Sequence, residues 1–390
     1  MRTAARFQSI QVSPIRKVLD RAAVLEAAGS KVVHLEIGQP DFDTPAVIKA
    51  GAIEALQAGA VGYGPTAGIA SLRSALAERL SVTHGCADTW PQERVLITNG
   101  AIEAVYVALA AVVETGDEVM TIEPGWSNYA GMINVCGGVT VPVATRMDER
   151  FQPDPDRIAA SIGPRTKALI VNSPNNPTGV AITPERLQAI ADIAIEHDLL
   201  VISDEVYDAI HFLDRPPVSI ATLPGMAERT VIVNAFSKTY AMTGWRIGYA
   251  ALPAVIAREA TLAHAFINTS INTFIQYGAL AALEHGHGDV ERMRAAYAER
   301  RTLALDHLSA IDAVDVIPSD GTFFLFPRFG EDVDDNALAV DLLEQVHVAT
   351  IPGSAFGEGG RGHVRISIAT SLESLREGLG RIRSHIEARS

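Results

Sequence analysis

Cysteine is almost absent from this sequence. Its 390 residues include only Cys86 and Cys136, and neither lies in a spacing typical of metal ligands. We therefore expect neither a disulfide scaffold nor a cysteine metal site. A chain this poor in cysteine is typical of a reducing compartment, and we expect it to be cytoplasmic.

Positive charge is also scarce. The chain has 32 Lys and Arg residues against 46 Asp and Glu residues, which gives a formal net charge of −14. This excess of acid disfavours binding to nucleic acid or to an anionic membrane surface. Any anionic ligand must therefore be held by cations close to its site.

Long apolar runs and linkers are missing too. The first twenty residues carry Arg2, Arg6, Arg16 and Lys17 but no continuous apolar run. We expect neither a signal peptide nor a membrane anchor, and we expect the mature chain to begin here. The rest of the sequence contains no tandem repeat, low-complexity tract or Pro/Ser-rich linker.

The residues that are present suit a large globular protein. The chain is 48% hydrophobic and 20% charged, and its 390 residues are too many for one ordinary core. Two domains around a cleft are the natural expectation, and small ligands favour such clefts.

Short apolar runs alternate with segments of helical period in the first two thirds of the chain. The runs lie at residues 95–98, 118–122, 168–171, 199–202 and 230–233, and helical patterns lie at 102–113 and 184–197. Continuously apolar runs are typical of parallel strands that are covered on both faces. The pattern predicts an α/β fold whose large domain has a mostly parallel sheet flanked by helices, with ligands beyond the carboxyl ends of the strands.

The last third of the chain predicts a second, smaller α+β domain. Residues 253–284 form one long helical pattern, residues 289–310 form another, and short strands are expected around 323–326 and 364–367. We predict an N-terminal segment (residues 1–44) that joins the small domain, a large domain (residues 45–285) and a small C-terminal domain (residues 286–390).

A lysine follows the last of these apolar runs. In residues 234–249, NAFSKTYAMTGWRIGY, Lys238 comes just after a buried strand, and Arg246 follows in a glycine-rich turn. Burial and a nearby cation lower the pKa of an amine, which makes it a nucleophile able to form a Schiff base with an aldehyde cofactor. A surface lysine is the alternative for any single lysine, but the position and neighbours of Lys238 favour the chemical role.

A rigid loop follows another strand. Residues 172–179, NSPNNPTG, contain two prolines and a glycine, which cannot continue a strand. The amide of Asn176 in this loop could donate a hydrogen bond to a phenolate oxygen of a cofactor. A purely structural turn explains the loop equally well.

Acidic and aromatic side chains follow the run at 199–202. Pyridoxal phosphate (PLP) acts as an electron sink only while its ring nitrogen is protonated, and a buried carboxylate beside the ring secures that proton. Asp204 suits this role, and Tyr207 could bond the ring oxygen. A solvated strand end is the alternative.

The segment 98–104, TNGAIEA, passes from a strand into a helix through a glycine. The backbone N–H groups of Gly100, Ala101 and Ile102 and the positive end of the helix could hold a phosphate, with Arg246 supplying charge. Most turns of this kind bind nothing, so this interpretation depends on Arg246.

Together, in this order and spacing, these residues resemble the class I/II aminotransferases of PLP fold type I, especially the bacterial aspartate- and aromatic-type branch. The resemblance runs from about Leu35 to the final helix. It includes IGQPDFDTP at residues 37–45, YGPTAG at 63–68 and GWRIG at 244–248.

The resemblance implies a role for each matching residue at the cofactor. Lys238 would form the Schiff base and move a proton between Cα of the amino acid and C4′ of the cofactor. Asp204 would pair with the ring nitrogen, and Asn176 and Tyr207 would bind the ring oxygen. Trp126 would stack on the ring, although a core or interface tryptophan is the ordinary alternative.

Further matches concern the substrate and a second subunit. Arg365 would grip the substrate α-carboxylate with its planar fork, and Gly38 would add a backbone contact. Trp126 and Asn176 would also border the substrate. Tyr63 would reach the cofactor phosphate of a neighbouring subunit, which implies a homodimer with shared active sites; an ordinary buried aromatic is the alternative.

Two positions depart from the family's pattern. Ala235 stands where many members have a serine, so one phosphate hydroxyl is missing. Neither Ser237, which is expected among the cofactor-binding residues, nor Thr273 of a partner subunit is expected to replace it. The arginine that some aspartate-specific members use for a second carboxylate has no match, and specificity is expected in segments such as Ser13 to Arg16.

The predicted reaction is a ping-pong transamination from an L-amino acid to a 2-oxo acid. A β-lyase or an oxidase on the same fold is the alternative, because the same carbanion can eliminate a β-substituent or react with oxygen. An effector sensor of a transcription regulator is disfavoured, since the family match begins within about forty residues and leaves no room for a helix-turn-helix.

Overall fold

The computed structural model describes Ala4, Phe7 and residues 14–84, 90–330 and 332–389. Several residues named above lie outside the described residues, namely Arg2, Arg6, Ser13 and Cys86.

The described elements alternate between strand and helix over most of the chain. The strands are β1 (Val33–His34), β2 (Val95–Thr98), β3 (Glu118–Glu123), β4 (Val139–Ala144), β5 (Thr166–Asn172), β6 (Leu200–Asp204), β7 (Thr230–Ala235), β8 (Gly248–Ala251), β9 (Phe324–Leu325), β10 (Val348–Ala349), β11 (Ile351–Pro352) and β12 (Val364–Ser367). The helices are α1 (Pro14–Ala27), α2 (Ala46–Gln57), α3 (Ala70–His84), α4 (Gly100–Val112), α5 (Asn128–Val135), α6 (Pro155–Ala160), α7 (Pro184–Glu196), α8 (Phe236–Thr239), α9 (Ala254–Asn268), α10 (Thr273–His285), α11 (His287–Ser309), α12 (Asp335–Val346) and α13 (Leu372–Glu387).

A seven-stranded sheet forms the centre of the larger assembly, in the order β2-β8-β7-β6-β5-β3-β4. Strands β7, β6, β5, β3 and β4 pair in parallel, whereas β8 runs antiparallel to both β2 and β7. The predicted α/β class with a mostly parallel sheet is confirmed.

Both faces of this sheet are covered, which explains the continuously apolar runs. In β6, Ile202 belongs to the same apolar cluster as Val105 of α4, while its neighbour Val201 belongs to a different cluster that includes Ile190 of α7. Successive side chains of a strand point to opposite faces, so each face needs its own apolar partner.

One predicted element is wrong, and two strands of the seven-stranded sheet were not predicted. The helical pattern at 253–284 forms two helices, because α9 ends at Asn268 and α10 begins at Thr273. Thr269 between them has a φ of +64°, a backbone conformation that a right-handed helix cannot contain. The unpredicted strands are β4, an edge strand interrupted by Pro142, and the short, alanine-rich β8.

A smaller assembly of strands and helices is built from both ends of the chain. Strand β12 pairs antiparallel with β11 and β9, and β1 pairs in parallel with β10. Its apolar core includes Leu35, Phe324 and Ile366, and the same cluster extends to Tyr207 beyond β6. Because this cluster crosses between the two assemblies, the domain boundaries at residues 44 and 285 stay a prediction.

Candidate active site

A cavity of about 340 Å³ opens beyond the carboxyl ends of β5, β6 and β7, where ligands of parallel sheets bind. The larger and the smaller assembly both contribute to its wall. Most residues that the sequence singled out line it, namely Gly38, Ala101, Ile102, Trp126, Asn176, Asp204, Tyr207, Ser237, Lys238, Arg246 and Arg365, together with Ala235.

Lys238 lies in the short helix α8, directly after β7. Its Nζ donates a hydrogen bond to the backbone oxygen of Gly38, at 2.5 Å. Burial, together with the positive charges of Arg365 and Arg246, lowers the pKa of Lys238 to about 8 against the opposing effect of Asp204. A considerable fraction of this amine is therefore neutral and nucleophilic near physiological pH.

Asp204 is the last residue of β6 and is buried at the cavity wall. Its Oδ2 accepts a hydrogen bond from the Tyr129 hydroxyl at 2.6 Å, and its Oδ1 accepts one from the backbone N–H of Val206 at 3.3 Å. Burial raises the pKa of Asp204 to about 6, although both hydrogen bonds favour the charged form. The carboxylate is thus ionised at neutral pH and can pair with a cationic ring nitrogen.

The neighbouring acid, Glu205, serves another purpose. Its Oε1 accepts hydrogen bonds from the hydroxyls of Ser203 and Ser219, at 2.7 and 2.5 Å, and it does not line the cavity. The alternation of side chains at the end of β6 therefore presents Asp204 to the cavity and turns Glu205 away.

A network of amides connects the rigid loop to Arg365. Asn172 donates to the backbone oxygen of Asp204 at 3.0 Å and accepts from the backbone N–H of Asn176 at 2.8 Å. The Oδ1 of Asn176 accepts a hydrogen bond from Nη1 of Arg365 at 3.0 Å. Since its oxygen is engaged, the side chain of Asn176 has its amide N–H groups left to donate to a ligand.

Arg365 lies in β12 and is 2% exposed. Its guanidinium stacks over Phe324 at 4.2 Å, and Nη2 donates to the backbone oxygen of Glu36 at 2.7 Å. Burial lowers the pKa of Arg365 to about 10, which still leaves it charged at neutral pH. Its Nε has no hydrogen-bond partner among the described residues. The guanidinium is therefore held in place and still has N–H groups that can donate to a carboxylate.

The turn from β2 into α4 has the geometry of an anion site. Gly100 has a φ of +72°, and a Cβ added to it would lie 2.6 Å from Nη2 of Arg246. Arg246 itself has a φ of +53°, and its Nη1 donates to the backbone oxygen of Thr243 at 2.9 Å. Helix α4 thus begins beside a guanidinium, where its N–H groups and dipole favour an anion.

Two predicted residues do not line the cavity. Gly100 lies next to the Arg246 guanidinium, at the edge of the lining residues Ala101 and Ile102. Tyr63 is 92% exposed, so the alternative of a buried aromatic is wrong for Tyr63 in the single chain. Trp126 packs edge-to-face on Tyr129, with ring centroids 5.3 Å apart. Tyr207 is buried, and burial raises the pKa of its hydroxyl, so it is a hydrogen-bond donor at neutral pH.

Other lining residues were given no role in the sequence analysis, namely Gln39, Tyr129, Asn172, Val206, Thr243 and Phe324. Each lies within or close to one of the sequence stretches discussed above, and that position is the only sequence signal that could have indicated a place in the site. Tyr129 matters most, since only the folded structure, in which α5 packs against β3 and β4, reveals that its hydroxyl meets Asp204.

Metals and membranes find no support in the described residues. Among them, no three His, Cys, Asp or Glu side chains cluster as metal ligands would. In the same part of the chain, no helix combines the length and the apolar character that crossing a bilayer requires.

Comparison with known proteins agrees with this geometry. A family model described as aminotransferase class I and II matches residues 30–382. An aspartate aminotransferase of Pyrococcus abyssi is 40% identical over 385 residues, which cover 98% of this chain and 97% of the relative. An aspartate/prephenate aminotransferase of Thermus thermophilus is 40% identical over 384 residues, covering 96% of each.

Solved structures of such enzymes superpose closely. An aspartate aminotransferase from Thermus thermophilus with maleate matches with a TM-score of 0.92 at 38% identity, covering 98% of this chain and 100% of the other. The enzyme from Rhizobium meliloti matches with a TM-score of 0.95 at 31% identity, covering 99% of both chains. The chain therefore belongs to the class I and II aminotransferases, PLP-dependent transaminases of PLP fold type I.

Proposed function

We propose that Lys238 is the catalytic amine of this transaminase and that the cavity around it binds PLP and the substrate side by side. The observation that carries the proposal is the position of Nζ: it lies in one cavity with the carboxylate of Asp204 and the guanidinium groups of Arg246 and Arg365. A primary amine of lowered pKa, an acid and two cations supply every charge that the reaction needs.

The residues present fit PLP. When bound, PLP supplies an aldehyde carbon and a ring that withdraws electrons from the substrate's Cα. Its phosphate suits the N–H groups of Gly100, Ala101 and Ile102, with Arg246 and Ser237 beside them. Gly100 supports this fit, because a Cβ there would fill the space next to the Arg246 guanidinium.

The rest of the ring has its own partners. Asp204, oriented by the Tyr129 hydroxyl, would hold the proton on the ring nitrogen. Asn176 and Tyr207 would donate to the ring oxygen, and Trp126 would cover one face of the ring.

The chain's own groups then handle substrate and proton. Arg365 would bind the α-carboxylate with its spare donors, held by Asn176 and Glu36 on its other side. The backbone oxygen of Gly38 already accepts from Lys238, so its N–H is the group left for the carboxylate. Lys238 would remove the proton from Cα of the amino acid and deliver it to C4′ of the cofactor, and it would move the proton in the opposite direction when the 2-oxo acid reacts.

We propose aspartate and aromatic amino acids as the donors, because relatives across the whole chain are named aspartate, aromatic-amino-acid and aspartate/prephenate aminotransferases. A cytoplasmic location is proposed from the low cysteine content.

The enzyme is proposed to act as a homodimer. Tyr63 and Phe266 are 92% and 89% exposed, and Val61 is exposed beside Tyr63. The loop that carries Tyr63 is tied to the start of α10, where Thr273 donates to the backbone oxygen of Gly62 at 3.1 Å. Strongly exposed aromatic and aliphatic side chains favour burial against a second copy.

The test is replacement of the amine. Lys238→Ala is expected to lower kcat by at least about 10³-fold, since it removes the group that binds the aldehyde and moves the proton. Turnover would be followed with L-aspartate and L-phenylalanine as donors and 2-oxoglutarate as acceptor, together with the near-ultraviolet absorbance of the bound cofactor. Lys167→Ala, which changes an exposed lysine, is the matched control.

Unchanged turnover in Lys238→Ala would contradict the proposal. Release of ammonia or peroxide by the wild-type enzyme without an acceptor acid would instead favour a lyase or an oxidase.

A further inference from the structure

Three charged side chains lead from the protein surface toward Arg365. Nδ1 of His34 lies 2.7 Å from Oε1 of Glu36, and Nε2 of His34 lies 3.1 Å from Oε1 of Glu26 on α1. The backbone oxygen of Glu36 accepts the hydrogen bond from Arg365. None of the three side chains lines the cavity, so no role in the site has yet been given to them.

The local backbone fixes this row. His34 ends β1, and residues two apart in an extended chain project to the same face, so the side chains of His34 and Glu36 meet. The N–H of Leu35 donates to the oxygen of Ala349 at 3.0 Å, and its oxygen accepts from the N–H of Ser367 at 2.7 Å. Glu36 is thus held between β10 and the strand that carries Arg365.

Glu36 is costly to bury. The residue is fully buried, and its Oε2 has no hydrogen-bond partner among the described residues. A buried carboxylate is tolerated only when a partner compensates for the lost water, and His34 is its partner in the ion pair. The hydrogen bond to Glu36 raises the pKa of His34 to about 9, with Glu26 adding to the effect, so the imidazole is charged at neutral pH.

The signs of the charges alternate along the row as negative, positive, negative and positive from Glu26 to Arg365. Other charged groups near β1 are paired among themselves, since Glu377 of α13 accepts from both Lys31 and Arg381, at 2.8 and 2.6 Å. Apart from Arg365, with which Glu36 also interacts electrostatically, the charge that compensates Glu36 is that of His34.

We propose that His34 is a positioning residue that neutralises Glu36 and so keeps Arg365 free to attract the substrate carboxylate. This inference rests on the proposed role of Arg365. The carboxylate of Glu36 interacts electrostatically with the Arg365 guanidinium, and an incoming carboxylate of the same charge would act on the same group. Without the imidazolium, the field of Glu36 repels the substrate and holds the guanidinium on its own side.

A purely structural role for His34 makes a different prediction. If the His34–Glu36 contact only fastened β1, removing Glu36 as well would harm the enzyme further. If the charge matters, removing the carboxylate relieves the loss of the imidazolium. The double variant therefore separates the two explanations.

The experiment compares the holoenzymes of His34→Gln, Glu36→Gln and the double variant with the wild type. Glutamine at position 34 can still donate a hydrogen bond but carries no charge. We expect His34→Gln to raise KM for L-aspartate and for 2-oxoglutarate by about 5-fold to about 10-fold, with kcat within about twofold. The double variant is expected to return KM to within about twofold of the wild type. His285→Gln, at an exposed histidine beside Glu284, is the matched control and should change neither constant.

An unchanged KM in His34→Gln, or a double variant as impaired as His34→Gln, would overturn the inference. If His34→Gln does not fold, Glu36→Gln tests the same point. This variant should lower KM or leave it unchanged, and a fivefold rise in KM would contradict the inference. Arg365→Lys separates this inference from the proposed function. An unchanged KM in Arg365→Lys would contradict the proposed role of Arg365 itself. A raised KM in Arg365→Lys together with an unchanged KM in His34→Gln would refute only the inference about His34.

Discussion

At the scale of single residues, the ionisation of Asp204 depends on one hydroxyl that lies far away in the sequence. Tyr129 on α5 precedes it by 75 positions, and its hydroxyl reaches the carboxylate at the end of β6 only in the folded chain. Burial pushes the pKa of Asp204 up, and the hydroxyl pulls it down by stabilising the charged form. The tyrosine, together with the backbone N–H of Val206, therefore lowers the pH down to which the carboxylate stays ionised and can pair with the protonated ring nitrogen.

Tyr129→Phe should shift the acid limb of the pH profile. Asp204 must be ionised, so kcat/KM falls as the pH drops through its pKa, which lies at about 6. Removing a hydrogen bond to the charged form raises that pKa, so the limb should move to higher pH by about one unit. The measurement is kcat/KM between pH 5 and pH 9 with L-aspartate, and Tyr106→Phe is the control. A limb that stays in place or moves to lower pH would contradict the assignment.

Sequence reasoning found the residues whose motif stands next to a strand end, such as Lys238 and Asn176, because strand ends of a parallel sheet meet at one edge. It did not find Tyr129 or Glu36. Their importance comes from a hydroxyl meeting a buried carboxylate and from a carboxylate meeting a histidine, and these contacts exist only after packing.

At the scale of elements, the start of α4 shows how two backbone positions depend on each other. Gly100 has a left-handed φ, and a Cβ there would lie 2.6 Å from Nη2 of Arg246. A side chain at residue 100 would therefore strain the backbone and push the Arg246 guanidinium out of place.

Gly100→Ala should weaken PLP binding by about tenfold, since the added Cβ displaces the Arg246 guanidinium. The left-handed φ alone costs about 1 kcal/mol. Gly116→Ala is the matched control: its φ is +88°, and the nearest atom to an added Cβ is 3.6 Å away. The dissociation constant of PLP and the thermal unfolding midpoint would be measured for both. Equal losses of PLP affinity would mean that crowding at Arg246 plays no part.

The elements themselves were predictable to different degrees. Buried parallel strands such as β5 and β6 gave a clear pattern, because both of their faces need apolar side chains. Strand β4 did not, since it lies at the sheet edge with exposed positions and Pro142. The break between α9 and α10 was missed because helical periodicity continues across Thr269, whose backbone departs from the helix.

At the scale of the whole molecule, the proposed dimer explains why Tyr63 is exposed, because its side chain would then contact the active site of the second subunit. The side chain is almost fully exposed and lies outside the cavity of its own chain. If it completes a neighbour's site, two chains that are each defective in a different residue can restore one another.

Mixing Tyr63→Ala with Lys238→Ala tests this directly. In a hybrid dimer, one site combines Lys238 of the first chain with Tyr63 of the second and is therefore intact. After subunit exchange at equal concentrations, activity is expected to reach about a quarter of the wild-type value per subunit, the statistical share of intact sites. Sedimentation would confirm that dimers are present. A mixture no more active than the diluted Tyr63→Ala enzyme would refute sharing of the site.

The reversed direction of β8 has a consequence for the spacing of the reacting groups. Ala235 at the end of β7 pairs with Gly248 at the start of β8, so the intervening chain leaves the sheet and returns to it at a single point. Lys238 stands near the departure and Arg246 near the return. The length of this segment therefore fixes the distance between Lys238 and Arg246. A residue inserted into it would alter that distance while leaving the sheet intact.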